Sequence, residues 1–168
     1  MTMIIGAGSE IDPAALKLYT SGNRTRIDNE RPEAELSYEG LHAALKLVIS
    51  VSPRAECRSL TGMYNCVGMV FASRRTAIDP IHLAVILRDD GFRRITRDES
   101  VPGDVVIYRR ESIAQHVGII QRVDEGLGNR AIWVLSQWGS DGEYIHPLMP
   151  VPVAYGEPTD FWTERRLP

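Results

Sequence analysis

Leu60-Thr-Gly-Met-Tyr-Asn-Cys-Val-Gly-Met-Val-Phe71 is the stretch whose reading decides how the rest of the chain is understood. Val67, Val70 and Phe71 recur at i, i+3 and i+4, the spacing of one helix face, so a short helix is expected to start here. Asn65 suits its N-cap, because the side-chain oxygen accepts an N–H that the first turn leaves without a partner. Cys66 would then be the first helical residue, where free N–H groups and the helix dipole favour negative charge and lower a thiol's pKa. Gly68 is a poor helix former, and room for a substrate to approach the sulfur would explain it. The plainer alternative is a small buried hydrophobe, since free cysteine is among the most buried residue types.

Upstream, residues 1–36 are irregular apart from Asp12-Pro13, which can cap a short helix through Leu18. Tyr38, Leu41, Leu45 and Val48 then recur at helical spacing and predict an amphipathic helix ending near Ser50. Cys57 falls in a connector and reads as structural. Downstream, the Cys66 helix is expected to run to about Arg75. Asp79-Pro80 supplies a cap and a first-turn proline for a second helix through Arg88, with Gly91 as its stop.

Beyond Gly91 the period changes to alternation. Val101-Pro-Gly-Asp104 is a turn into a strand at Val105–Tyr108, followed by a loop of about four residues. Gln115–Val123 and Ala131–Trp138 are the next two strands, joined by the glycine-rich segment Asp124–Asn129. The remaining tail, with Tyr144, His146, four prolines before Thr159, and then Phe161-Trp162, reads as extended chain anchored by its aromatics. Helices first and strands afterwards predict a single α+β domain over 1–168, N-terminal helices packed on a small antiparallel sheet.

His116 reverses the odds on Cys66. It opens the second strand with Gly118 on the same face, which leaves space beside the imidazole for it to take a thiol's proton. A third group must then hold the other ring nitrogen. If Val123 pairs with Ala131, His116 falls opposite Trp138 and Ser136 shares its face. A slip of one residue brings Gln137 alongside instead. Gln137 is preferred for its longer reach.

Asn65-Cys66-Val-Gly, Pro102-Gly-Asp-Val-Val-Ile-Tyr108 and His116-Val-Gly-Ile-Ile120, in that order, resemble the papain-like NlpC-type and CHAP cysteine amidase/peptidase superfamily. The likeness covers about 60–140. The family's usual Asp-Cys-Ser-Gly is Asn-Cys-Val-Gly here, and the third polar residue is neither His nor Glu. The resemblance implies a papain-like fold and hydrolysis of an amide, with peptidoglycan peptides as the usual substrate. Cys66 would attack, His116 would move the proton and Gln137 would orient the ring. Backbone N–H groups around Cys66, with the Tyr64 hydroxyl, would meet the oxyanion, and Tyr64, Asn65 and Trp138 would flank the substrate.

Bulk properties bound these expectations. The chain has 168 residues, 43% of them apolar, which suits one core and not two domains. A net charge of −3 with dispersed arginines gives no nucleic-acid footprint. Two cysteines form no disulfide framework, and the four histidines show no zinc spacing, so neither metal nor cofactor is expected. The first ten residues lack a Sec-type signal and no apolar run would span a bilayer. The expected protein is cytoplasmic, or exported by a route without that signal. Two competing expectations remain: a hydrolase of a cytoplasmic protein or acyl conjugate, and a non-catalytic interaction module.

Overall fold

The computed structural model describes residues 16–32, 34–126 and 129–166. In chain order, β1 (Leu18–Tyr19) pairs with β2 (Arg26–Ile27), and β3 (Asn29–Glu30) pairs with β5 (Ala77–Ile78). Among the described residues the short helices are α1 (Tyr38–Val51), α2 (Cys66–Phe71) and α3 (Leu83–Asp89), the last preceded by a 3-10 turn at Pro80–His82. The remaining strands are β4 (Glu56–Ser59), β6 (Arg93–Ile95), β7 (Val105–Arg110), β8 (Ile113–Gly126), β9 (Asn129–Gln137), β10 (Glu143–Pro147) and β11 (Glu157–Thr163). These seven form one antiparallel sheet in the order β4-β10-β9-β8-β7-β11-β6.

This overturns the expectation of helices packed on a small sheet. The protein is mostly β, and the helices are its minor part. Four strands carry the difference. β4 falls in the supposed connector, β6 holds the pair Arg93-Arg94, and β10 and β11 come from the supposed wrapping tail. In β11 an ion-pair ladder replaces apolar alternation: buried Asp160 binds Arg109 of β7 at 2.5 Å and also Arg94 of β6. α1 is capped by Ser37, whose Oγ accepts from Gly40 N at 3.2 Å, yet only Ala44 and Val48 of its length are buried. The expected stripe is thus half used, and Tyr38 lies in solvent. The helix expected over Asp12–Leu18 falls largely outside the described residues, and Leu18 itself is in β1.

Two apolar clusters pack against the sheet. One gathers Val106, Tyr108, Ile120, Val134, Trp138 and Tyr144 with Val48 of α1. The other gathers Cys66, Val67, Leu83, Ile86 and Leu87 of α2 and α3 over Val105, Ile107 and Val117. No helix among the described residues is long and apolar enough to cross a membrane.

α2 is seated tightly. It ends at Phe71, and Gly68 abuts β5: an added Cβ would collide with the Thr76 carbonyl oxygen and sit 2.9 Å from its carbon. Gly68 is therefore set by backbone packing and not by substrate access. Gly68→Ala is expected to cost about 2–3 kcal/mol, the upper range of overpacking, because backbone and not a side-chain tip must yield. Urea unfolding measures it, and a cost below about 0.5 kcal/mol, the level of a neutral surface change, would show that α2 slides freely.

Candidate functional site

Asn65 caps α2 as its position predicts. Its Oδ1 accepts from Gly68 N at 2.9 Å and from Ile78 N at 3.1 Å, while Nδ2 donates to Ile78 O at 2.7 Å. The Oδ1 atom and one N–H of Nδ2 are used in holding the helix start to β5. The segments on either side of α2 are tied to β10 by one buried carboxylate. Glu143 binds Arg74 through two nitrogens, at 2.6 and 3.1 Å, and accepts the Tyr64 hydroxyl at 3.1 Å. Tyr64 is thus buried and occupied, not a free oxyanion donor.

Cys66, held between these ties, is 6% exposed. Burial pushes its thiol up to about 11, against the pull of the backbone N–H groups of Val117, Val67 and Cys66 itself. The expected lowered thiol is therefore corrected: a short capped helix does not offset removal of the sulfur from water. In the resting protein Cys66 is a neutral thiol lying against the residue that follows His116. Cys57 sits on edge strand β4 and is exposed.

His116 is delivered by a bulge. Tyr108 pairs with His116 and Arg109 with Ala114, so Gln115 is the extra residue on β8, and such bulges re-aim the next side chain. The ring is 1% exposed, stacked on Tyr155 with centroids 3.9 Å apart and planes 5° from parallel. Burial is the main cause that raises the Tyr155 phenol above its ordinary value. No hydrogen bond joins the thiol to either ring nitrogen among the described residues. The one side-chain bond of His116 runs from Nε2 to Ser136 Oγ, 2.9 Å.

The Ser136 hydroxyl is the hub of a buried relay, and counting its protons fixes the tautomers. His146 Nδ1 lies 2.8 Å from Pro147 O, which only accepts, so Nδ1 carries the proton. Burial lowers His146 to about 4, so the ring is neutral at physiological pH and its Nε2 is bare. The Ser136 O–H therefore donates to His146 Nε2 at 2.8 Å. The oxygen accepts from Trp138 Nε1 at 3.1 Å and from His116 Nε2–H. Burial, then the neighbouring His146, hold His116 well below its ordinary value, so this ring is neutral too. Its Nδ1 is left as a lone pair, the form a general base requires.

Ser136, not Gln137, is thus the group bonded to the His116 ring. At the β8–β9 turn Val123 faces Ile132, but a bulge between Ile120 and Arg122 shifts the ladder, so that Ile120 faces Val134 and Ile119 faces Leu135. Extending that register sets His116 opposite Trp138 with Ser136 on its face. Gln137 turns away, donating Nε2 to Thr61 O at 2.8 Å and Gly139 O at 3.0 Å. Gly118 does not open space beside the imidazole. An added Cβ would strike the Val134 side chain and stand 3.1 Å from Ser136 Cβ, so the glycine admits β9. Trp138 is buried as a donor in the relay and not displayed to substrate.

Two participants escaped the sequence. His146 falls in the segment that reads as an extended tail, where no alternation marks β10; with Tyr144 opposite Ser136, its ring falls diagonally beside the serine. Tyr155 lies in a proline-rich segment without periodicity, and no local signal marks it. Among the described residues, no three His, Cys, Asp or Glu side chains converge to hold a metal ion. The chain matches no family model, no curated protein and no solved structure.

If the relay orients a catalytic base, Ser136→Ala should lower turnover by about 10²-fold, the lower end of what a positioned base contributes. Gln137→Ala should change it by less than about tenfold, since its bonds hold loops and not the ring. Steady-state kinetics on the two variants measures this, and the opposite order would remove Ser136 from the orienting role.

Proposed function

We propose that the protein is a cysteine hydrolase of amide bonds, with Cys66 as nucleophile and His116 as base. The observation that carries this reading is the relay Pro147–His146–Ser136–His116, which fixes a bare Nδ1 on the residue next to the one whose N–H meets the Cys66 sulfur. A relay this fully bonded also rigidifies a core, but a core does not require an unprotonated nitrogen left without a partner. As Sγ attacks a carbonyl carbon, its proton passes to Nδ1 and the imidazolium returns it to the leaving amine, leaving a thioester on Cys66. Water then gives a proton to the same Nδ1 as it attacks that thioester, the acid departs and Sγ takes the proton back. Backbone N–H groups at the start of α2 meet the oxyanion. The order of motifs points to peptidoglycan peptides as the substrate class, with a cytoplasmic protein or acyl conjugate as the alternative.

A second reading has its own observation. A thiol 6% exposed and raised to about 11 suits an inert core cysteine in a non-catalytic binding domain. Muropeptides, casein and a small peptide thioester, each incubated with wild type and Cys66→Ala, separate the two. Product release with an acyl adduct on Cys66 by intact mass supports the hydrolase. The absence of both with every substrate would leave the binding domain.

A further inference from the structure

Between α3 and the sheet lies an open cavity of about 880 Å³, near the top of the roughly 300–1,000 Å³ that small-molecule sites span. Leu83 and Leu87 of α3 line it with Ile107 of β7 and Trp162 of β11, so its walls are apolar. The charged residues of its lining already have partners. Asp79 Oδ1 accepts from Ile81 N, Arg88 binds Asp89 and Arg109 binds Asp160. These pairings leave apolar contact as the main attraction that the cavity offers.

The cavity borders the Cys66 site through β7 and β8. Leu83 and Ile107 of its wall belong to the apolar cluster that contains Cys66. Ile107 faces Val117 across the two strands, and the Val117 N–H meets the Cys66 sulfur. Residues directly opposed on neighbouring strands stand about 5 Å apart, so one step across the sheet separates the cavity wall from the residue that holds the sulfur. Gln115, the bulge residue immediately before His116, lines the cavity as well. The sulfur and the base therefore each sit beside a residue that forms this wall or pairs with it.

We propose, resting on the cysteine-hydrolase reading, that this cavity holds the apolar acyl group of the amide cleaved at Cys66. The substrate is then a medium-chain N-acyl amide, which selects the acyl conjugate over the peptidoglycan peptide. A hydrocarbon chain fills such a volume without bringing a polar group into it, whereas a muropeptide would bury charged groups without partners. On attack the acyl group passes to Sγ as the thioester and the amine leaves with its proton from His116. Water then releases the acyl group as a carboxylic acid, and the chain stays in the cavity through both steps.

Butanoyl and octanoyl p-nitroanilide read the cavity and the chemistry separately: binding to Cys66→Ala by calorimetry, and release of p-nitroaniline by the wild type. Octanoyl should bind Cys66→Ala at least about tenfold more tightly than butanoyl and turn over with at least about tenfold higher kcat/KM. Both are modest shares of the roughly fourfold that each buried methylene group can give. Ala84 lies on the exposed side of α3 at the cavity, so Ala84→Trp fills the space without entering the core. Added to Cys66→Ala, it should weaken octanoyl at least about fivefold and butanoyl less than about twofold. Equal binding of the two chains, or octanoyl binding that Ala84→Trp leaves unchanged, overturns the proposal whatever the turnover. Hydrolysis of muropeptides but of neither anilide also overturns it, and keeps the hydrolase. Chain-dependent binding with no hydrolysis of any of these overturns the hydrolase instead, and leaves the cavity as an acyl-binding site.

Discussion

Turnover by the Cys66→Ala variant is expected to fall by at least about 10⁴-fold, since removing the nucleophile leaves only binding and the oxyanion donors. The fold should survive. Losing one buried sulfur removes little volume and costs about 1 kcal/mol, at the low end for large-to-small core changes. The melting temperature then drops by only a few degrees. Cys57→Ala, on the exposed edge strand, should leave turnover unchanged. Alkylation is a poor discriminator between the thiols. A low-pKa Cys66 would react first, but burial holds it as a neutral thiol while Cys57 meets solvent, so iodoacetamide should reach Cys57 earlier in the resting protein. With thiol and imidazole both neutral at rest, kcat/KM should also stay flat across the neutral range. Activity retained in Cys66→Ala would transfer the chemistry to other residues and end the hydrolase reading.

What could be read in the sequence followed the rules that residues obey locally. The Asn65 cap, the Asp79-Pro80 helix start and the core of β7, Val105–Tyr108, rest on side chains that act within a few positions of themselves. The turn between β7 and β8 shows where such rules fail. Glu111 and Ser112 both take positive φ, 52° and 69°, the conformation of a two-residue hairpin that glycine or asparagine would ordinarily announce. A four-residue loop was expected there, and the tighter turn lengthens both strands. The residue bonded to the His116 ring was beyond reach for a related reason. Whether Ser136 or Gln137 faces His116 depends on an odd or even number of bulges along β8, and a bulge leaves no mark in composition. The fold class failed because β10 and β11 are stabilised by pairs that alternation does not reveal. Glu143 with Arg74, and Asp160 with Arg94 and Arg109, put charges where a strand would show apolar residues.

The same relay makes the protein sensitive to mild acid. His146 is held neutral by burial, its value lowered from 6.5 to about 4, and His116 is shifted in the same direction. Above pH 6.5 both rings are neutral folded or unfolded, and they add no pH dependence. As pH falls through 6.5 the unfolded chain gains protons that the folded chain refuses, so stability drops, and continues to drop until the folded ring itself titrates. For His146 alone the loss by pH 4 is about 3 kcal/mol, and His116 adds to it. Asp89 shows why carboxylates do not produce this loss. Hydrogen bonds from Thr25 first, then Arg88, lower it to about 2, so its contribution persists until pH falls below the ordinary carboxylate value. Urea unfolding at intervals from pH 7.5 to 4 should therefore show the decline beginning near 6.5, and His146→Asn should flatten it. A flat profile between 6.5 and 4.5 would mean that the rings are charged in the folded protein. Protonating His146 also has a chemical consequence. Its Nε2 becomes a donor, the Ser136 hydroxyl must turn to His116, and the proton on that ring moves to Nδ1. The base is lost with the relay, so turnover of the folded protein should fall only as pH approaches 4, well below the point where stability begins to decline.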